Sequence, residues 1–245
     1  LISAIIEKAK GLKKTIVLAE GEEPRTVRAA EIITKNGIAN IVLLGNKDKL
    51  AQMYPDVDLS LVKVVDPQTA DIEEFANEFY ELRKAKGMTI EEARVQMRKN
   101  LNYGAMMTRK ALADGMVAGA INSTGNVLRS GLTIVKTKPG IKTVSSCFIM
   151  CFEGTPYTAQ DVMVFGDCAV NIDPTAEQLA DIAISSVGSA KSLAGITEPK
   201  VARLSCSTKG RAKHENGDKV VSAVALVKER LPKEAWTANC SWTRR

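Results

Sequence analysis

A short polar stretch at residues 123–126, with the sequence STGN, carries groups that could bind an anion. Two hydroxyls and a glycine lie there between an apolar run and a predicted helix, and backbone N–H groups at a helix start attract phosphate. Arg129, one helical turn further on, can add a bidentate charge. We therefore predict a phosphate site formed by Ser123, Thr124 and Arg129. The alternative is that one of the two hydroxyls only caps the helix.

A second polar loop, CSTKG at residues 206–210, follows the apolar run VARLS. Ser207, Thr208 and Lys209 offer the same kinds of group in the same context. The loop lacks the GxxxxGKS or GxxxxGKT frame of a nucleotide-binding loop, so a nucleoside triphosphate site is disfavoured. Two interpretations stay open, a short phosphate loop and a plain loop with a solvated lysine.

Acidic side chains indicate where a base or a helix cap could lie. The turn EGEEPR at residues 20–25 holds three carboxylates before a predicted helix, where pairing with the helix dipole is favoured over catalysis. Asp167 follows the apolar run VMVFG, and a carboxylate at such a position is costly unless it is hydrogen-bonded or functional. Asp167 is therefore the first candidate for a general base within the chain. Cys168 beside it is disfavoured as a nucleophile because no histidine is placed to activate it.

Histidine and cysteine usage excludes several classes of site. His214 is the only histidine among the 245 residues, which excludes HExxH zinc sites, Cys2His2 fingers and most Ser-His-Asp arrangements. It lies in a polar stretch and is predicted to be an exposed loop or helix-start residue. The five cysteines form no CxxC pair, and we expect reduced core residues of a cytoplasmic protein. No metal site is predicted.

Charge and hydropathy favour a small anionic substrate. Lys and Arg number 34 against 28 Asp and Glu, and aromatic residues make up only 4% of the chain. No basic run is interleaved with aromatic residues, so nucleic-acid binding is disfavoured against a phosphorylated metabolite. The N-terminal segment LISAIIEKAKGLKK is predicted to be an amphipathic helix and not a signal peptide. No apolar run approaches the length of a transmembrane span, so no membrane partner is expected.

Strand-like and helical patterns alternate along the chain, which predicts an α/β fold with mostly parallel sheets and helices on both faces. The pattern becomes β-rich from residue 142. This change predicts a first α/β domain over residues 1–141 and a second, incomplete α/β domain over residues 142–236. Residues 237–245 show no periodicity and are predicted to be an aberrant tail.

Two element boundaries in this scheme bear on the candidate sites. The run MVAGAI is predicted to be a strand over residues 116–121 that leads directly into STGN. Asp173 is predicted to cap a helix with Pro174 at its first position. In open α/β sheets ligands bind at the carboxyl ends of strands, so the loops that follow the strands are the places to expect a site.

Four blocks of the chain closely resemble successive blocks of the phosphate acetyltransferase family. They are IVLAEGEEPRTVRAAE, NYGAMMTRKALADGMVAGAINSTGNVLRSGLTIVKTKPGIKTVSS, VMVFGDCAVNIDPTAEQLADIAISS and EPKVARLSCSTKGRAKHE. The resemblance implies a two-domain α/β/α fold similar to isocitrate and isopropylmalate dehydrogenases, in a cytoplasmic homodimer. It also implies conversion of acetyl-CoA and phosphate to acetyl phosphate and CoA. CoA and acetyl-CoA are then substrates, and no metal or redox cofactor is implied.

Substrate-binding residues follow from the resemblance position by position. The segment STGNVLR matches the family's active-site block. Arg83, in YELRKAKG, matches an arginine that the family links with CoA binding. The alternative for Arg83 is a solvated arginine at a helix end. Two further matches, a tyrosine and a lysine, are weaker. The matched positions are Ser123, Thr124, Arg129, Arg83, Tyr103 and Lys209.

Members of the family continue after the last matched block with a segment that carries the residues usually assigned to catalysis. We therefore expect the catalytic residues beyond the C-terminus of this chain, little activity from the chain alone, and a frameshift at Trp236 or Thr237. Two other functions stay open. One is a phosphate butyryltransferase, and the other is a non-catalytic module for acetyl-CoA sensing or oligomerisation like that of malic enzymes.

Overall fold

The chain forms two compact units, which are described separately below. The computed structural model describes residues 1–152, 162–205 and 214–232, together with the backbone of Ala235–Cys240. The units divide after Lys136, whereas the sequence pattern predicts a domain boundary after residue 141.

In the first unit, Ile2–Lys136, strands alternate with one or more helices along the chain. Its elements are α1 (Ile2–Leu12), β1 (Thr15–Leu18), α2 (Pro24–Lys35), β2 (Asn40–Leu44), α3 (Lys47–Met53), β3 (Lys63–Val65), α4 (Glu73–Arg83), α5 (Ile90–Met97), α6 (Asn100–Arg109), β4 (Gly115–Val117) and α7 (Thr124–Ser130). A 3-10 turn follows α4, and a π-helical turn, Gly131–Val135, continues α7.

The four strands of this unit form one parallel sheet in the order β3-β2-β1-β4. Alternate residues point to opposite faces, so Val17 and Leu44 join one apolar core while Leu18 and Leu43 join the other. Helices α4 to α6 supply the first core, and α2 and α3 supply the second. The predicted α/β fold with helices on both faces of a parallel sheet is therefore confirmed.

Gly104 allows α6 to lie close against this sheet. A Cβ atom at this position would lie 2.8 Å from Met116 Sδ, 3.1 Å from Val17 Cγ1 and 3.3 Å from Leu44 Cδ1. These atoms belong to three different strands, so the helix packs across the middle of the sheet through a position that has no side chain. A glycine inside a helix lowers helix propensity, and here the close approach explains its presence.

Strand β4 is shorter than the sequence pattern predicts. It covers Gly115–Val117, so the prediction of a strand over residues 116–121 is wrong beyond Val117. The backbone N–H groups that follow are bound by the side chain of Glu20, and Gly119 takes a φ of +113° that no strand uses. The chain therefore leaves the sheet as a loop four residues earlier than its apolar sequence indicates.

In the second unit, Thr137–Arg245, the described residues form two pairs of strands and two long helices. Its elements are β5 (Cys147–Cys151), β6 (Val162–Gly166), α8 (Ala176–Ser192), β7 (Lys200–Leu204), α9 (Glu215–Arg230) and β8 (Ala235–Cys240). Strands β5 and β6 pair antiparallel, and β7 and β8 pair parallel. The predicted aberrant tail thus begins within β8, and its last residues, 241–245, lie outside the described residues.

Helix α8 begins two residues later than predicted. Thr175 caps it through a capping box with Gln178, in which each side chain binds the other residue's backbone N–H. Asp173 instead forms an ion pair with Lys219 of α9. The prediction of Asp173 as the cap is wrong because the reciprocal Thr-Gln pair satisfies two free N–H groups at once.

Asp181 on the buried side of α8 anchors the segment that precedes β5. Its carboxylate accepts hydrogen bonds of 3.0 Å from the backbone N–H groups of Lys142 and Thr143, and one of 2.8 Å from Arg230 Nη1. Burial alone would raise the pKa of Asp181, but these hydrogen bonds outweigh it and lower the pKa below its ordinary value. The carboxylate therefore stays charged and joins α8, α9 and the entering chain.

Cys147, Cys151 and Cys168 are free thiols, but Cys151 is exposed, so the prediction of core cysteines is wrong there. Among the described residues, no helix is both long and apolar enough to cross a lipid bilayer.

Replacing Gly104 by alanine is expected to lower the free energy of unfolding by about 1 to 3 kcal/mol, because the new methyl group overpacks the contact between α6 and the sheet. Urea denaturation of the 245-residue chain measures this change. Gly11→Ala near the end of α1 is the matched control, because open space surrounds that position and alanine favours the helix. Equal losses in both variants would contradict the packing explanation.

Candidate functional site

The carboxylate of Glu20 binds a whole loop at the end of β4. Glu20 follows β1 and is 4% exposed. Its two oxygens accept hydrogen bonds of 2.7 to 3.0 Å from the backbone N–H groups of Gly119, Ala120, Ile121 and Asn122. The side-chain amide of Asn122 donates a fifth hydrogen bond of 2.8 Å. The carboxyl ends of the neighbouring strands β1 and β4 are therefore joined through a single side chain.

The neighbouring residues of the EGEEPR turn reinforce this loop, which we call the 119–122 loop. Glu23 is the N-cap of α2 and accepts from Thr26 N at 2.8 Å, which confirms the predicted helix-start role for this carboxylate. Glu23 also pairs with Arg25, whose Nη2 donates to the carbonyl of Ala120 at 3.2 Å. The third carboxylate, Glu22, forms a surface ion pair with Lys49. The three acids of one turn thus have three different partners.

Hydrogen bonding determines the charge of Glu20. Burial raises the pKa of its carboxyl, but the amide of Asn122 and the backbone N–H groups of the 119–122 loop outweigh burial and lower the pKa to about 2. Glu20 is therefore an anion at neutral pH, and it is surrounded by donors. It is poorly suited to act as a proton acceptor, because a base needs a pKa near the working pH.

The predicted phosphate residues follow this loop directly. Ser123 is the N-cap of α7 and its Oγ accepts from Asn126 N at 3.3 Å, so the capping interpretation of this hydroxyl is confirmed. Thr124 begins the helix and its side chain is exposed, as is that of Arg129 in the last turn. Arg129 forms no ion pair with any carboxylate of the described residues. Residues 123–129, called the 123–129 segment below, thus present a hydroxyl and a guanidinium to solvent.

The far end of α7 and the turn that follows it are held by two hydrogen bonds to α6. Ser130 is buried and its Oγ donates to the carbonyl of Leu101 in α6 at 3.0 Å. Arg109 Nη1 donates to the carbonyl of Ile134 at 3.0 Å, while its Nε binds Glu78 at 2.7 Å. The π-helical turn after α7 is therefore tied to α6, and α6 is tied to α4 through Glu78.

Arg83 lies beside a polar cavity of about 290 Å³ at the end of α4. The chain leaves the helix through the 3-10 turn Lys84–Lys86 and reverses at Gly87, where φ is +83°. This turn places Lys86 on the same cavity as Arg83, and Arg83 is half-buried. Glu92 also lines the cavity but is engaged in the capping box of α5. Arg83 is therefore one of two cations at a cavity and is not a fully solvated helix end.

A second cavity of about 560 Å³ lies along α1, α2 and one face of the sheet. Aliphatic side chains form most of its lining, including Leu12, Ile33 and Ile41. Such a surface does not suit the phosphate groups that the sequence analysis predicts as ligands. The 123–129 segment and the Arg83 cavity, which carry exposed or half-buried cations, stay the predicted anion sites.

Two weaker predictions for substrate-binding residues have different outcomes. Tyr103 is 8% exposed and its ring packs against Phe75, with 5.0 Å between ring centroids. Burial raises the pKa of its hydroxyl. The structure thus shows Tyr103 as a core residue of α6, and a substrate contact for it stays a prediction. Lys209, with the whole CSTKG loop, lies outside the described residues.

Two candidates of the second unit, Asp167 and His214, are exposed. Asp167 follows β6 with a φ of +61°, which is uncommon for a residue with a side chain, and it is exposed. The argument from a costly buried carboxylate therefore does not apply to Asp167. Cys168 Sγ lies 3.4 Å from Ser146 Oγ. His214 is exposed and caps α9, accepting from Asn216 N at 3.1 Å, which confirms the predicted helix-start role.

The sequence analysis missed Glu20 as a site residue, although a signal for it was present. The run TIVLA is followed by the carboxylate of Glu20, just as VMVFG is followed by that of Asp167. From the sequence, the cost of burying a charge applies to both positions. The same argument, applied to the first strand, would have indicated a buried and satisfied acid. It could not have indicated its partners, which lie about 100 residues further along the chain.

The chain is similar to known proteins of one family. A family model described as phosphate acetyl/butaryl transferase matches residues 1–237. The chain belongs to this family. The phosphate acetyltransferase of Thermoanaerobacterium thermosaccharolyticum is 48% identical over 233 residues, which cover 95% of this chain and 71% of that protein. That of Clostridium acetobutylicum is 46% identical over 235 residues, covering 95% and 70%.

Solved structures in the phosphate acetyl/butaryl transferase family have the same fold. A phosphotransacetylase from Streptococcus pyogenes superimposes with a TM-score of 0.91 at 36% identity, covering 98% of this chain and 72% of that one. The EutD phosphotransacetylase from Staphylococcus aureus gives 0.86 at 32% identity, with the same two coverages. The family resemblance seen in the four sequence blocks is thus confirmed over nearly the whole chain.

Acid titration is expected to reveal the Glu20 interaction. Because the pKa of Glu20 is lowered in the folded chain, its contribution to stability is complete above about pH 4.5 and disappears as the pH falls through about 2. Glu20→Gln should therefore be less stable than wild type by about 3 kcal/mol at pH 7, with the gap closing towards pH 2. Denaturant unfolding measured across this range checks the expectation.

Glu22→Gln is the control, since Glu22 lies in the same turn and forms only a surface ion pair. A constant difference between wild type and Glu20→Gln at every pH would contradict the assigned charge.

Proposed function

We propose that this chain acts as a phosphate acetyltransferase, which transfers acetyl reversibly between CoA and inorganic phosphate. The observation that carries the proposal is the family match over residues 1–237, together with relatives at 46 to 48% identity that are named phosphate acetyltransferase. The same relatives favour acetyl over butyryl as the acyl group.

The chemistry requires anion binding more than any special nucleophile. An oxygen of phosphate attacks the thioester carbonyl of acetyl-CoA, a C–O bond forms, and the C–S bond breaks. The proton that leaves phosphate ends on the thiolate of CoA. Donors must stabilise the oxyanion and cations must hold the phosphate groups, and neither task needs a metal or a redox group. We therefore propose that CoA and acetyl-CoA serve as substrates and that no cofactor is used.

Two groups of residues in the first unit support this proposal. Thr124 and Arg129 are exposed on the 123–129 segment, and a hydroxyl with a guanidinium is a common way to bind phosphate. Arg83 and Lys86 share a polar cavity, and they would bind the phosphate groups of CoA. Ser123 holds the start of α7 through its cap and would act by fixing the position of Thr124. We assign no general base among these residues.

The cellular setting is proposed on the same basis. Cytoplasmic location fits an enzyme that uses CoA and inorganic phosphate. A homodimer is proposed from the family resemblance alone.

The proposed function is tested by incubating the chain with acetyl phosphate and CoA and following the thioester by its ultraviolet absorbance. CoA binding measured by calorimetry gives a second result that does not depend on turnover. We expect CoA to bind, and the turnover of the chain, although low, to be faster with acetyl phosphate than with butyryl phosphate. Failure to bind CoA, or a preference for the butyryl compound, would contradict the proposal.

The Arg83 cavity has its own test. Arg83→Gln is expected to weaken CoA binding about tenfold, because one charge-assisted phosphate contact of roughly 1.4 kcal/mol is lost. Lys84→Gln is the matched control, since Lys84 is next in sequence, exposed, and paired with Glu81 away from the cavity. Calorimetric titration with CoA compares the two variants, and equal effects would show that only general charge matters.

A further inference from the structure

We propose that Glu20 is a positioning residue for the phosphate substrate, and that it acts by holding the 119–122 loop in the conformation that presents the 123–129 segment. The inference rests on the proposed function, since it concerns how that segment is held and which anion it can accept. Glu20 itself does not contact the substrate.

The carboxylate already occupies the anion-binding groups of the loop. Four consecutive backbone N–H groups converge on Glu20, an arrangement that would otherwise bind an external anion. A substrate phosphate cannot use these groups while Glu20 holds them. The next N–H groups, those of Ser123, Thr124 and Gly125, donate to no acceptor in the part of the chain that the structure describes.

The loop and the segment are continuous, so the position of one determines the position of the other. Asn122, the last residue bound by Glu20, precedes Ser123 directly. The opposite end of α7 is held by the buried Ser130 and by the hydrogen bond that Arg109 makes to the following turn. Glu20 and the weaker bond from Arg25 are thus what holds the end of α7 that carries Thr124.

A glutamine at position 20 cannot take over this role. A carboxylate offers two acceptor oxygens to the five donors, whereas a carboxamide offers one oxygen and turns an NH2 group towards the others. At least two backbone N–H groups would then lose their acceptor, and the loop would have to move for them to find another. We therefore expect the 119–122 loop to shift in Glu20→Gln and to carry Thr124 with it.

The sign of the effect separates positioning from simple electrostatics. Removing a negative charge near an anion site should strengthen phosphate binding if charge alone matters. Loss of loop geometry should weaken it. Weaker binding of phosphate to a variant with one negative charge fewer is therefore a result that only positioning explains.

The experiment measures inorganic phosphate, acetyl phosphate and CoA binding to the full 245-residue chain by calorimetry, in wild type, Glu20→Gln and Glu22→Gln. In Glu20→Gln we expect both phosphate ligands to bind at least about tenfold more weakly, while CoA changes by less than about twofold. Glu22→Gln is expected to match wild type, because Glu22 faces Lys49 and not the loop.

Asn122→Ala is the second variant, in case Glu20→Gln does not fold. It removes one of the five donors and leaves the carboxylate and the four backbone bonds in place. A smaller loss of phosphate affinity, about two- to fivefold, is expected with CoA binding intact. The double variant Asn122→Ala/Thr124→Val should lose less phosphate affinity than the sum of the losses in the single variants Asn122→Ala and Thr124→Val, because both residues act through the 123–129 segment.

Each outcome decides between the possibilities. Equal or tighter phosphate binding in Glu20→Gln overturns the inference, and so does an equal loss for phosphate and CoA, which would indicate general destabilisation. Additive losses in the double variant overturn it as well. A wild-type chain that binds neither CoA nor phosphate contradicts the proposed function, and the inference then falls with it.

Discussion

One buried carboxylate that accepts four consecutive backbone N–H groups is the interaction on which the candidate site depends. Leaving this buried, charged carboxylate without its donors would cost more free energy than an ordinary hydrogen bond gains. The chain after β4 would therefore lose stability if it continued as an edge strand or took another loop conformation. This single constraint ends β4 at Val117 and determines where α7 begins.

The sheet provides the rigidity that this interaction needs. Both faces of the parallel sheet are covered, and α6 lies so close to it that Gly104 has no room for a methyl group. The same helix binds α7 through Ser130 and the following turn through Arg109. The 123–129 segment is therefore supported by the sheet at one end and by a tightly packed helix at the other, which is how a site on a loop can still have a defined geometry.

The parts of this arrangement that could be predicted from the sequence are those that depend on neighbours along the chain. Alternating apolar strands and amphipathic helices predicted the parallel sheet. The polar stretches around Ser123 and His214 offered a helix cap and a helix start as one of two interpretations each, and the structure shows both. The end of β4 could not be predicted, because MVAGAI is apolar throughout and its interruption comes from a side chain about 100 residues away. The start of α8 was not predicted correctly for a more local reason. Thr175, with its capping box, and Asp173 are both suitable N-cap residues by type, and they lie two residues apart.

The separation between Glu20 and its partners, 99 to 102 positions along the chain, also determines when the site can form during folding. Local helices and turns can form early, but this loop closes only after β4 has paired with β1, because the carboxylate and the N–H groups are brought together by that pairing. We therefore expect the 119–122 loop to form late in the folding of the first unit. A nascent or partly unfolded chain would then lack an ordered 123–129 segment.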